Sequence, residues 1–214
     1  MGRKPRRIER PRLLLVEGIE DLRLCEGIQK YLDNGSKNFD SIQLWDYGGI
    51  NKLKSELKNI FLTPQYPTLC SIGIIADADN NANQRFQMIQ KCLRECSYPV
   101  PDSQLIPTSG NSPSVVVVVV PKNGGGMIEK LCLDSVMDDP ATGCVTKYFD
   151  CLNAVFTENH LECPRNIYKA RLQAFLASRK SPGLTMGYAA LRNYFPFENE
   201  AFDDIKEIMK QMIK

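Results

Sequence analysis

The chain is predicted to be an α/β protein: a largely parallel sheet of four to five strands, flanked by helices, with a helical C-terminal extension. Three observations carry that reading. Short, continuously apolar runs such as Leu13-Leu14-Leu15-Val16 and Val115 to Val120 are the mark of strands buried on both faces. Those runs alternate with segments of helical periodicity, the order that produces right-handed β-α-β crossovers. From about Cys144 onward only helical periodicity remains.

The elements follow in order. Arg12 to Val16 reads as a buried strand that ends on Glu17 and Gly18. Leu22, Leu24, Cys25, Ile28, Tyr31 and Leu32 then recur at helical spacing, and Asn34-Gly35-Ser36 supplies a stop. Ser41 to Trp45 is a second strand. The Asp46-Tyr47-Gly48-Gly49 loop after it opens a helix with Ile50, Leu53, Leu57 and Ile60 on one face. Pro64 and Pro67 punctuate the connection to a third strand, Cys70 to Ala76, and a helix from about Asn83 to Glu95 follows. Leu105-Ile106 suggests a short strand. The six consecutive valines make another, and Met127 to Leu133 is helical after a Gly-rich loop. The remaining helices are expected near 144–157, 164–179, 185–194 and 199–213, with Pro164, Pro182-Gly183 and Pro196 between them. The expected division is a basic, flexible N-terminus over 1–11, an α/β domain over 12–135, and a helical subdomain over 136–214 packed on it.

Composition narrows the function. The 214 residues are 43% hydrophobic and 24% charged, with a net charge of +2. Residues 1–12 hold six Lys and Arg against one acid, Glu9, which is +5, so the remainder is −3. The body is not a basic nucleic-acid-binding domain by charge, and the tip reads as a solvated terminus. The eight cysteines include no Cys-x-x-Cys pair, so neither a zinc site nor a secreted disulfide framework is indicated. No apolar run reaches membrane-spanning length, and no signal-peptide pattern follows the basic start. A cytoplasmic protein with no membrane partner is expected.

The chemistry gathers at strand ends. Ligand sites of parallel α/β sheets lie outside the carboxyl ends of the strands. Glu17 ends the first strand, and Asp77-Ala78-Asp79 ends the third. On an extended chain, residues two apart point the same way, so Asp77 and Asp79 are expected to share one small volume. Two carboxylates that close repel unless a cation lies between them, and Mg²⁺ suits an oxygen-only site. The simpler account of Asp79 or Asn80 is a cap on the next helix. A lone histidine, His160, in the helical tail argues against a His general base. No nucleophile motif, Walker loop or dinucleotide fingerprint is present.

Leu14-Leu15-Val16-Glu17-Gly18-Ile19-Glu20-Asp21 and Ile75-Ala76-Asp77-Ala78-Asp79 together resemble the Toprim domain of topoisomerases, primases and old-lysogenisation-type nucleases. The resemblance implies a Toprim-like fold, with Glu17 as general base or acid and Asp77 and Asp79 holding Mg²⁺ or Mn²⁺. Asp21 matches the extra acid of the nuclease branch. A closer likeness covers Asp46-Tyr47-Gly48-Gly49, Pro121-Lys122-Asn123, Gly126-Met127-Ile128-Glu129 and Lys180-Ser181-Pro182-Gly183-Leu184. These look like a small prokaryotic Toprim-like family known as a domain of unknown function, a likeness that supports the fold better than any reaction.

The nuclease branch often carries a basic residue near its metals. Lys122, at a strand end, is the candidate for that role, against a plain solvated loop lysine. Glu129 is a candidate fifth acid, against a first-turn helix acid favoured by the macrodipole. The expected activity is Mg²⁺- or Mn²⁺-dependent phosphodiester hydrolysis on nucleic acid. One alternative is a non-catalytic binding or regulatory module, since Toprim-like chains often work beside an ATPase. A phospho-receiver domain is a third reading, with Glu17, Asp21, Asp77, Thr108 or Ser109, and Lys122 in its roles, although it leaves Asp79 and the helical tail unexplained.

Overall fold

The computed structural model describes residues 6–33, 38–110, 112–122 and 125–214. The stop proposed at Asn34-Gly35-Ser36 lies outside the described residues. Among them, four strands form one sheet: β1 (Arg12–Val16), β2 (Ile42–Asp46), β3 (Ser71–Asp77) and β4 (Ser114–Val120). All pairings are parallel and the order is β2-β1-β3-β4. The chain leaves β1 toward β2 and returns to the other side of β1 to lay down β3. The carboxyl ends of β1 and β3 therefore flank the topological switch, where parallel sheets open a crevice.

Each expected strand is present within a residue or so, except Leu105-Ile106. Leu105 has φ +64, which an extended ladder does not admit, and Pro101 and Pro107 bracket it. The segment still serves the sheet. The backbone N–H of Leu105 donates to Val117 O at 2.9 Å, and that of Thr108 to Val115 O at 3.0 Å. Gln104 Oε1 accepts from Val119 N at 2.8 Å, and Thr108 Oγ1 from Val115 N at 3.0 Å. An irregular strap thus covers the outer edge of β4, which would otherwise present open backbone groups. It also explains how six valines on an edge strand are fully buried.

Helices cover both faces. α2 (Ile50–Phe61) and α3 (Ala82–Glu95) pack one side, with Leu13, Leu15, Ile72, Ile74 and the odd-numbered valines of β4. α1 (Ile19–Asp33) and α8 (Asp203–Ile213) lie on the other, against Leu14, Val16, Ile75 and the even-numbered valines. Alternation of side chains along each strand divides the apolar residues between the two layers. The remaining helices, α4 (Ile128–Ser135), α5 (Pro140–Glu158), α6 (Ile167–Ala177) and α7 (Met186–Leu191), join the α1/α8 cluster. Three one-turn 3-10 helices, at Phe39–Ser41, Tyr66–Thr68 and Glu200–Phe202, fall where the periodicity is too short to read. No helix is long and apolar enough to cross a membrane.

Residues 6–11 follow β2. Arg6 pairs with the buried carboxylate of Asp46, Gln43 Nε2 donates to Arg7 O at 2.9 Å, and Ile8 is buried. Half of the stretch expected to be solvated is thus tied to the sheet, while residues 1–5 lie outside the described set.

Candidate metal centre

Glu17 stands one residue past β1. The register, with Leu15 opposite Ile74, carries it to the level of Ala76, one residue before Asp77 at the end of β3. The loop after β2 holds it there. Gly48 and Gly49 both donate backbone N–H groups to Glu17 O at 3.0 Å, and Ile50 N, in the first turn of α2, donates to Oε1 at 3.1 Å. Gly49 has φ +102, so only glycine turns the chain comfortably at this point. The other carboxylate oxygen, Oε2, is buried with no hydrogen-bond partner. A buried acceptor left unsatisfied costs on the order of 1–3 kcal/mol, and a bound water or ion is one way to satisfy it.

Asp77 is held by a second helix start: Ile128 N of α4 donates to its Oδ1 at 2.9 Å. Asp21 sits in the first turn of α1 and accepts from Gly18 N at 2.8 Å, so it is a helix-capping acid as well as a member of the cluster. Burial pushes the Asp77 carboxyl from its ordinary 3.8 up to about 8. The Asp21 charge adds to that, the Ile128 N–H opposes it, and Glu17 and Glu129 contribute further upward. Burial likewise raises Asp21 to about 7. Gly18 N–H opposes the rise, Glu129 and Glu17 reinforce it, and Lys169 counters it. Glu129 itself is only 7% exposed. It is therefore the buried fourth acid of the cluster and not merely a first-turn helix acid.

Two expected members stand elsewhere. β3 ends at Asp77 and Asp79 turns to φ +48, so the extended geometry that would align the two carboxylates is lost. The Asp79 side chain pairs with Arg85 on α3. Its backbone bridges to Gly126, whose N–H reaches Asp79 O at 2.6 Å, and this joins the loops after β3 and β4. The α3 cap is Asn81, whose Oδ1 accepts from Gln84 N at 3.0 Å, and neither Asp79 nor Asn80 fills that role. Lys122 is exposed at the end of β4 and its charge acts on Asp204, near the start of α8. The cation at the acid cluster is Lys169 of α6, with Nζ 3.4 Å from Glu129 Oε1. No spacing in the sequence marks Lys169, since it reaches the rim only through the packing of α6 on α4. Tyr47 is also unmarked by chemistry. It is buried beside Glu17 and Asp77 with its hydroxyl donated to Ile75 O at 3.2 Å, which makes it a wall and not a nucleophile.

The donor set is oxygen-only: Glu17, Asp21 and Asp77 are half-buried and Glu129 buried, with the Lys169 amine beside Glu129. Oxygen donors of this kind would suit a hard divalent cation such as Mg²⁺ or Mn²⁺. The four acids feel one another at longer range than a coordination shell spans. Among the described residues no three acid, Cys or His side chains form a ready-made cage.

An all-parallel sheet in the order β2-β1-β3-β4, with acids at the ends of β1 and β3 beside its switch point, defines a doubly wound α/β protein. The chain belongs to the family described as "Protein of unknown function (DUF3226)", whose model matches residues 11–214. Its fold is similar to that of the C-terminal region of the OLD protein of Xanthomonas campestris pv. campestris. That match has a TM-score of 0.53 and 13% identity, and it covers 96% of each chain. No curated protein shows significant similarity.

Proposed function

We propose that this protein hydrolyses phosphodiester bonds of nucleic acid with Mg²⁺ or Mn²⁺ at the β1/β3 rim. The observation that carries the reading is the unpartnered, buried Oε2 of Glu17 beside Asp77 and Asp21, two carboxyls that burial and mutual repulsion keep short of a counter-charge. Glu17, Asp77 and Asp21 would hold the ion, with Glu129 assisting. The bound ion would offset phosphate charge and lower the pKa of a water. The helix starts at Ile50 and Ile128 fix one oxygen each of Glu17 and Asp77 and leave the other oxygen of each for the site. Glu17 Oε2 is the general base when it is not engaged by the ion. Lys169, whose amine is 3.4 Å from Glu129 Oε1, supplies positive charge beside the acids. The likeness to the Toprim domain and to the OLD protein region supports this choice by analogy of fold.

A specific observation favours a second reading. Asp79, assigned a metal-holding role by the Toprim resemblance, is paired with Arg85. A rim that binds an ion and a nucleic acid without cleaving, in company with a partner such as an ATPase, is consistent with that pairing. One experiment separates the two. Purified protein with Mn²⁺ is expected to cleave DNA or RNA, and Asp77→Ala should lower the rate roughly 100-fold or more, the scale for loss of a transition-state charge stabiliser. If the wild type cleaves neither polymer while calorimetry shows Mn²⁺ bound, the second reading stands. If no ion binds, the hydrolysis fails and a binding module that works without the ion takes its place.

A further inference from the structure

A cavity of about 420 Å³ adjoins the acid cluster, between α6 and the segment that leads into α7. Its walls are apolar: Leu172 and Leu176 from α6, Leu184 from the following turn, and Met186 at the start of α7. The buried carboxylate of Glu129 and the amine of Lys169 lie together in its lining, and Glu20, Gln173 and Thr185 are its other polar residues. Glu129 is common to both places, because it lines the cavity and adds its charge to Asp21 and Asp77. One of its own lining residues, Glu20, braces the wall. Glu20 Oε2 accepts from Gly187 N at 2.8 Å, which ties the turn to α1, and Arg23 stacks 4.2 Å over the Tyr188 ring. A braced, apolar cavity with a few convergent polar groups is the form of a small-ligand site, and 420 Å³ lies toward the small end of the roughly 300–1,000 Å³ such sites occupy.

We infer that this cavity is a nucleobase pocket, seating one unstacked base while the adjoining phosphate lies at the acid rim. The inference rests on the proposed phosphodiester site. A flat ring with apolar faces suits the leucine and methionine walls. A polar ring edge suits one acceptor, Glu129, beside one donor, Lys169. A paired and stacked duplex presents no free base to such a cavity, so the substrate class is single-stranded nucleic acid or a strand end. The phosphate sits beyond Glu129, next to the acids, and the base direction is set by the Glu129–Lys169 pair.

Nucleosides carry no phosphate and need no metal, so they test the pocket separately from hydrolysis. The full-length protein, free of divalent ions and labelled at methionine methyls, is titrated with deoxyadenosine and, as a control, with ribose. Deoxyadenosine is expected to shift the Met186 methyl and ribose to leave it. Ala177→Trp, at an exposed position on the cavity wall, should weaken that binding roughly tenfold or more (about 1.4 kcal/mol by the affinity relation) with the fold retained by circular dichroism. If the tryptophan variant misfolds, Leu184→Ala, which removes one wall, takes its place with the same expected loss. An unmoved Met186 at millimolar nucleoside, an equal response to ribose, or a variant that folds and binds as well as the wild type overturns the pocket. Binding of deoxyadenosine by a protein that cleaves nothing with Mn²⁺ would uphold the pocket and sink the hydrolysis.

Discussion

Asp77 is a carboxyl that the folded chain holds partly against its nature. Its proton is bound more tightly in the native state, near 8, than in the unfolded chain, near 3.8. A group whose folded pKa is raised contributes stability at low pH and loses it as pH climbs through the folded value. The ion-free protein is therefore expected to be more stable at pH 5 than at pH 8.5, by about 2 kcal/mol after allowance for relaxation, or roughly 4–8 °C in Tm. Asp77→Asn should flatten that slope, and Mg²⁺ should raise Tm at pH 8.5 but little at pH 5; thermal melts across pH with and without the ion check all three. The cation beside these acids is the second matter of residue scale. Lys122 is the only lysine that a strand end offers in the sequence, yet its charge serves Asp204. Lys169→Met should weaken binding of a single-stranded oligonucleotide several-fold at low salt, as loss of one cationic contact does. Lys122→Met should leave it unchanged; fluorescence anisotropy of the two variants distinguishes them. Glu17 and Asp77 were legible as partners because each ends a buried apolar run. Lys169 was not, because a charge inside an amphipathic helix looks the same whether it faces water or a site.

At the scale of elements, the sheet is sealed by close approach. Gly73, in the middle of β3, lies under α8: a Cβ built there would stand 2.5 Å from Met212 Sδ and 2.7 Å from Leu14 Cδ1. Gly73→Ala is expected to cost about 1–3 kcal/mol through overpacking. Met212→Ala empties the same spot and should cost about 2–5 kcal/mol by itself. Because both act on one contact, the double variant should be more stable than the sum of the two losses predicts, by roughly 0.5–3 kcal/mol; urea unfolding of the four proteins measures that coupling. β3 was recognisable from Cys70 to Ala76 by its apolar run, but nothing local announced that a methionine 139 positions later would press on its glycine. The strap over β4 teaches the same lesson in reverse. Leu105-Ile106 has strand-like residues, yet a left-handed Leu105 and two flanking prolines turn it into an edge cover that donates two backbone hydrogen bonds to β4 without joining the ladder.

The whole molecule is two apolar layers about one sheet, and the second layer is built from the far end of the chain. α8 covers even-numbered valines of β4 together with Leu14 and Ile75, in the same cluster as α1 and α4 to α7. Arg12 at the start of β1 donates to Met212 O at 2.7 Å, so the first strand and the last helix are also joined by a hydrogen bond. Deletion of residues 203–214 is expected to leave secondary structure but lose fixed packing, with reduced near-UV circular dichroism and strong dye binding, because a fully apolar sheet face would meet water; retention of a cooperative, native-like melt would count against a shared core. By itself the sequence determined the parallel α/β class, the succession of strands and helices, and the meeting of Glu17 with Asp77. Those depend on local apolar runs, β-branched residues and the rule that strand ends form the rim. Tertiary structure alone decided the β2-β1-β3-β4 order, the turning of Asp79 toward Arg85, the arrival of Glu129 and Lys169 at the acids, and the cavity they share. Those depend on how helices far apart in the chain pack on one sheet, which sets side-chain positions that no spacing along the chain encodes.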